Sequence, residues 1–235
     1  MPNDLSSLNA RFSGDTQAAL RFSLSGALGR VALVSSFGAD SVVLLHLVST
    51  IAPQTPVLFL DTLMLFPETL AYQRAVAERL NLSDLRIINP DREALFAGDP
   101  DATLHHADPD ACCDLRKTQP LTKALHGFES WISGRKRAQG GARSGLEMFE
   151  RDPSGAVKIN PLAGWDAQSI GAYMTQHDLP RHPLVARGFP SIGCAPCTGP
   201  VAAGEDPRAG RWRGKDKTEC GIHFENGRVI RRKAS

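Results

Sequence analysis

Five cysteines stand in this chain of 235 residues: Cys112, Cys113, Cys194, Cys197 and Cys220. Four of them form an adjacent pair, in DACCDLRKTQPL, and a pair separated by two residues, in PSIGCAPCT. Two thiolate pairs make a tetrathiolate set suited to zinc or to an iron–sulfur cluster. Adjacent cysteines on a helix diverge by about 100°. That is awkward for a single ion, whereas a cubane offers separate irons to separate sulfurs, so the spacing favours a [4Fe–4S] cluster over zinc. The fifth, Cys220, follows Arg211, Arg213, Lys215 and Lys217 and precedes His223. Nearby cations lower a thiol's pKa, and the thiolate is the nucleophilic form. An odd count grouped as pair, pair and single therefore suggests four ligands and one reactive thiol. Buried structural thiols, and an idle cysteine on a basic tail, are the bland alternatives.

A second constellation is SSFGADS: Ser35, Ser36, Phe37, Gly38, Ala39, Asp40 and Ser41. Small residues let backbone N–H groups approach a phosphate, the serines add hydroxyl donors, and a following helix offers its positive N-terminus. The Gly-Lys-Ser/Thr ending of a Walker A loop is missing. A plain strand–turn–helix connection would also account for such a segment.

These residues need a frame. Val31 to Phe37 is a short apolar, β-branched run that reads as a buried strand. Ser41 to Ile51 is apolar almost all round and predicts a helix buried against a sheet. Strands are expected at Pro56–Leu60, Leu85–Ile88 and Ser130–Ser133, with a helix from Pro67 to about Leu80, where proline suits the first turn. Alternating strands and helices predict an α/β, Rossmann-like fold with a mostly parallel sheet flanked by helices. Beyond Arg135 the pattern loosens: Gly140, Gly141, Gly145, Pro153 and Gly155 read as a flexible connection. One amphipathic helix follows at about Asp166–His177. The expected organisation is a domain over 1–203 and a tail over 204–235.

Composition narrows the class. Hydrophobic residues make up 42% and charged residues 22%, as in ordinary globular proteins. A net charge of +2 gives no reason to expect a nucleic-acid partner. Met1 to Arg11 lacks the apolar core of a signal peptide, and no apolar run approaches eighteen residues. A cytoplasmic protein with no membrane partner is expected, and in that reducing setting cysteines are more often ligands or catalysts than disulfides.

SSFGADS resembles the pyrophosphate loop of the adenine-nucleotide α-hydrolases. That group includes ATP pyrophosphatases and the reductases of adenosine 5′-phosphosulfate (APS) and 3′-phospho-APS (PAPS). Leu60-Asp61-Thr62 with Leu65-Phe66-Pro67-Glu68-Thr69 resembles the LDTG-x-LFPET signature of the reductase branch, with Leu63 in place of glycine. The CC and CxxC pairs resemble those of assimilatory APS reductases, and Glu219-Cys220-Gly221-Ile222-His223 resembles the ECG-[LI]-H catalytic tail. WISGRKRAQGGAR is similar to the family's tryptophan–glycine–basic–glutamine stretch, with Gly140 for the usual serine. Arg208 and Arg211 match arginines that precede the catalytic cysteine.

The resemblance implies a thioredoxin-dependent APS reductase, with Cys220 as nucleophile and a [4Fe–4S] cluster on Cys112, Cys113, Cys194 and Cys197. It also implies substrate contacts at the SSFGADS loop, Asp61, Thr62, Lys136, Arg137, Arg143, Arg208, Arg211 and His223. Thioredoxin or glutaredoxin would donate electrons, and the chain would form a homo-oligomer. A PAPS or dual-specificity reductase is the nearest rival. A cluster-bearing tRNA thiolation enzyme and a non-catalytic zinc module stand further off.

Overall fold

The computed structural model describes residues 4–215 and 217–219. Its frame is a six-stranded sheet of order β3-β2-β1-β4-β6-β5, formed by β1 (Val31–Ser35), β2 (Val57–Leu60), β3 (Leu85–Ile88), β4 (Ser130–Ile132), β5 (Phe149–Arg151) and β6 (Val157–Ile159). All neighbours run parallel except the β5–β6 pair. The central strands are almost wholly apolar, as expected when both faces are covered. Leu33 of β1 pairs with Val57 on one side and Ile132 on the other.

Helices cover both faces. They are α1 (Leu5–Arg11), α2 (Thr16–Phe22), α3 (Ser41–Ile51), α4 (Pro67–Arg79), α5 (Arg92–Gly98), α6 (Leu104–Ala107), α7 (Pro109–Cys113), α8 (Gln119–Ala124) and α9 (Ala167–Gln176). The all-round apolar α3 lies in the larger core, where Val42, Val43, Leu44, Leu45, Leu47 and Val48 pack with Leu33, Phe59 and Ile132. Ala32, Val34, Leu58 and Trp131 point the other way and meet Leu121 of α8 in a smaller core. This is the period-2 alternation of strands sorted onto two faces.

The expected α/β class and the strands read from the sequence are present, and the region beyond Arg135 differs from expectation. Instead of a flexible connection it holds a hairpin, β5–β6, that completes the sheet. Its turn is made by Asp152, whose Oδ1 accepts the N–H groups of Ser154 and Ala156 (2.9 and 3.1 Å), and by Gly155 at φ +88°. Strands of three residues are too short to show a period. The outer edge of β5 is met by Asn9 of α1, whose side-chain amide donates to the Phe149 carbonyl (3.0 Å) and accepts its N–H (2.8 Å).

A buried histidine fixes the path towards the second cysteine pair. His182 is 1% exposed, with Nε2 3.0 Å from Thr69 Oγ1 of α4 and Nδ1 accepting the Leu184 N–H at 3.2 Å. Tyr72, also on α4, donates its hydroxyl to the Pro180 carbonyl at 2.8 Å. Burial pushes the His182 pKa down from 6.5 to about 4. Between those values the unfolded chain binds the extra proton, so stability is fully present above about pH 6.5 and is lost as pH falls through 4. The expected loss from this group is up to about 3 kcal/mol. Urea unfolding of the wild type and of His182→Gln at pH 7 and pH 4 should show a steeper acid loss in the wild type. Equal losses would overturn the assignment.

Candidate functional site

Sheet order reverses direction at β1, whose neighbours β2 and β4 lead the chain to opposite sides; ligands collect at the carboxyl ends of strands at such a switch point. A cavity of about 290 Å³ opens there, lined by Ser35, Ser36, Gly38, Asp40 and Ser41 from the first loop and by Ser133, Gly134, Arg135 and Lys136 after β4. Phe37 explains the loop's shape. Its backbone is left-handed (φ 47°), and its ring is wholly buried edge-on against Phe59, with centroids 5.1 Å apart. That conformation costs roughly 1–2 kcal/mol in an L-residue, and the buried aromatic contact holds it in place. Gly38 passes close to the chain opposite: a Cβ there would stand 3.4 Å from the Ile192 carbonyl oxygen. Asp40 precedes α3 but makes no side-chain cap; it pairs with Lys136 Nζ at 2.9 Å.

The cavity is cationic. Lys117, Arg135, Lys136, Arg143, Arg208 and Arg211 line it, against the carboxylates of Asp40 and Asp206. Such a wall suits an anion whose charge grows as it reacts. Glu219 closes on it from the C-terminal side. Its two oxygens accept Arg143 Nε (2.6 Å) and Nη2 (2.7 Å), and Arg208 Nη2 stands 3.4 Å from Oε1. Burial pushes the Glu219 pKa up, but the hydrogen bond and charge of Arg143, with Arg208 behind, outweigh it and leave the carboxyl below its ordinary value.

The four cysteines lie beside the cavity. Asp108 caps α7 by accepting the N–H groups of Asp110 and Ala111 (3.0 and 2.9 Å), which fixes the turn that buries Cys112 and Cys113. Cys194 pairs with Leu65 in an isolated bridge, and Ala195 N–H donates to the Met64 carbonyl at 2.7 Å. Cys112, Cys113, Cys194 and Cys197 are free thiols. Burial pushes the Cys112 thiol up to about 11, with Arg116 opposing and Cys194 and Cys197 adding to the rise. Cys197 is raised chiefly by burial, then by Cys194. Among the described residues no three Cys, His, Asp or Glu side chains converge on one metal ion.

Thr62 joins the two regions. It is 1% exposed, lines the cavity, and places Oγ1 3.2 Å from Cys194 Sγ. Its carbonyl accepts Arg116 Nη1 (3.1 Å), while Arg116 Nε and Nη2 bind Asp99 Oδ2 at 3.1 and 2.7 Å. On the other wall Arg211 stacks over Trp212 (4.5 Å) and crosses Gly193 so closely that a Cβ there would meet Nη2 at 2.2 Å. A side chain at Gly193 would have to displace the Arg211 guanidinium.

Of the residues singled out from sequence, Ser35, Ser36, Gly38, Asp40, Ser41, Thr62, Lys136, Arg143, Arg208 and Arg211 come together around the cavity. Three do not line it. Phe37 is a core residue. Asp61 turns back to accept the Leu63 N–H at 2.9 Å, which supports Leu63 at φ 59°, the conformation a glycine would take without strain. Arg137 follows Lys136, whose backbone is extended, so the two side chains diverge; Arg137 donates to the Leu146 carbonyl (2.7 Å) and lines a separate cavity of about 440 Å³. Cys220 and His223 lie outside the described residues. Arg135, Lys117 and Trp212 were missed by sequence reasoning. Arg135 stood in the same basic run as Lys136, while nothing local marks Lys117 or Trp212.

The phosphoadenosine phosphosulfate reductase domain matches residues 30–200. The chain belongs to that family. An adenosine 5′-phosphosulfate reductase of Chelativorans sp. (strain BNC1) is 49% identical over 83% of this chain and 80% of its own. A phosphoadenosine 5′-phosphosulfate reductase of Gloeobacter violaceus is 42% identical over 83% of this chain and 82% of its own. Among solved structures, the phosphoadenylyl-sulfate reductase of Candida auris, in a phosphate complex, superposes with a TM-score of 0.72. It is 28% identical and covers 84% of this chain and 96% of that one. Yeast FAD synthetase, at 19% identity and a TM-score of 0.55, shares the fold. The protein is thus a reductase of the PAPS/APS reductase family.

The buried Arg116–Asp99 pair is 5% and 2% exposed on its two side chains. Removing one partner of such a pair strands a buried charge at a cost of about 3–5 kcal/mol. Arg116→Met should therefore lower the unfolding free energy by that amount in urea titrations. Arg116→Met with Asp99→Asn should recover part of it, and a double variant no better than the single would count against the pairing.

Proposed function

We propose that this reductase converts adenosine 5′-phosphosulfate to sulfite and AMP in sulfate assimilation, with Cys220 as the nucleophile. The observation that carries the reading is the cation-lined cavity at the switch point, whose wall residue Thr62 touches Cys194. The phosphosulfate would sit at Ser35–Ser41 and the N-terminus of α3. The adenosine would lie across the carboxyl edge of the sheet. The Cys220 thiolate attacks the sulfate sulfur. An S–S bond forms, the O–S bond of the phosphosulfate breaks, and AMP leaves with the electron pair. Both partners are anions, so Lys136, Arg143, Arg208 and Arg211 screen the approach and stabilise the charge gathering on phosphate.

A reduced dithiol protein, thioredoxin or glutaredoxin, completes the cycle. Its thiolate attacks the Cys220 sulfur and expels sulfite, and its second thiol resolves the mixed disulfide. The dithiol is oxidised by two electrons, releases two protons, and returns Cys220 as thiolate. The same inference places the enzyme in a reducing compartment, the cytoplasm.

The four thiols fit a [4Fe–4S] cluster held by Cys112, Cys113, Cys194 and Cys197. Cys194 and Cys197 both raise the Cys112 thiol, and Cys194 raises Cys197, so these three lie near one another. Arg116 and Lys117 supply positive charge beside them. When bound, such a cluster supplies a fixed charge that shapes the site's electrostatics and need not change oxidation state. The same four thiols, with the APS reductases among the relatives, favour APS over PAPS as substrate.

Anaerobically purified protein should be yellow-brown with roughly four irons per chain. Cys194→Ser should cost colour and activity together. Stoichiometric zinc without iron or sulfide would sink the cluster assignment.

Turnover with reduced thioredoxin should show kcat/KM for APS at least about tenfold above PAPS, worth roughly 1.4 kcal/mol. With APS but no thioredoxin, the wild type should release one AMP and carry one SO₃ adduct on the Cys220 peptide. Cys220→Ser should still bind AMP, keep its colour and form no sulfite. A Cys220→Ser enzyme that turned over normally would overturn the mechanism.

A further inference from the structure

The tail that leads to Cys220 is held to the body of the protein at a series of charged contacts. Trp212 N–H donates to the Cys197 carbonyl at 3.0 Å, and Lys215 Nζ donates to the His105 carbonyl. Lys217 Nζ meets the Asp110 carboxylate and the Pro109 carbonyl on α7, the helix that carries Cys112 and Cys113. Arg208 Nη2 donates to the Thr218 carbonyl at 2.9 Å. The last described contact is the strongest by geometry. Both oxygens of Glu219 meet one edge of the Arg143 guanidinium, which is itself held from the other side by Gln139 Oε1. Fork-to-fork pairs of this kind fix orientation as well as distance. The two side chains are 8% and 18% exposed, so water competes little for either.

Glu219 immediately precedes Cys220 in the chain. We infer that Glu219 is a positioning residue: its bidentate pair with Arg143, reinforced by Arg208, anchors the chain next to the nucleophile at the rim of the substrate cavity. Arg143 accordingly spends its forked edge on the tail, and its part in the reaction is to hold Glu219 at least as much as to meet the substrate.

The inference rests on the proposed role of Cys220, and the test separates the two. Glu219→Gln keeps the size and one acceptor of the side chain but removes its charge. In single turnover with APS and no thioredoxin, the variant should transfer the sulfo group at least about tenfold more slowly than wild type. Its affinity for AMP, measured by calorimetry, should stay within about twofold, and its circular dichroism at the assay temperature should match the wild type. Loss of rate without loss of binding is what misplacement of a nucleophile produces. Mass spectrometry of the product then reads the site of the adduct. A Cys220 adduct formed at the wild-type rate would overturn the positioning role alone. Tenfold tighter AMP binding at an undiminished rate would also overturn it, by showing that the carboxylate merely competes with the substrate for Arg143. An adduct on another cysteine would sink the nucleophile assignment instead.

Discussion

The buried guanidinium of Arg116 is the point on which the site hangs. It lies just after the cysteines of α7, and it binds Asp99 with two nitrogens and the Thr62 carbonyl with a third. Thr62 ends the run that follows β2 and touches Cys194. One side chain therefore sets the mutual position of both cysteine pairs and the floor of the cavity. Buried ion pairs add little net stability compared with apolar packing, and their best-attested use is to select one arrangement among several. Here the arrangement selected brings thiols from positions far apart in the chain into one place.

The second constraint is charge. A cavity that gathers six cations against two carboxylates is costly to assemble unless anions complete it. Asp40 forgoes a helix cap to reach Lys136, and Glu219 reaches back to Arg143 and Arg208. These carboxylates keep the cations ordered and partly neutralised, so the electrostatic field is in place before a ligand arrives.

Much of this was legible in the sequence, and the failures are specific. The central strands and α3 were readable because complete burial forces unbroken apolar runs. The cysteine pairs and the loop serines were readable because their chemistry is bound to residue type. β5 and β6 were missed because strands of three residues carry no period. Arg137 stands in the same basic run as Lys136, yet the extended backbone at Lys136 turns the next side chain away from the cavity. Phe37 and Asp61 lie within the right segments but shape the turns rather than line the cavity. Nothing in one dimension shows that Lys117 or Trp212 would arrive there, since their neighbours come from distant parts of the chain.

The Asn9 amide that meets β5 has a consequence for synthesis of the chain. It is a side-chain imitation of a neighbouring strand, answering both the N–H and the carbonyl of Phe149, and it blunts an edge that could otherwise recruit a strand from another molecule. Its partner stands 140 residues later. At ribosomal speeds of about 5–20 residues per second, Asn9 waits roughly 7–28 s for that strand to emerge. The guard for the last-formed edge is thus made first, and is already in hand when the edge appears.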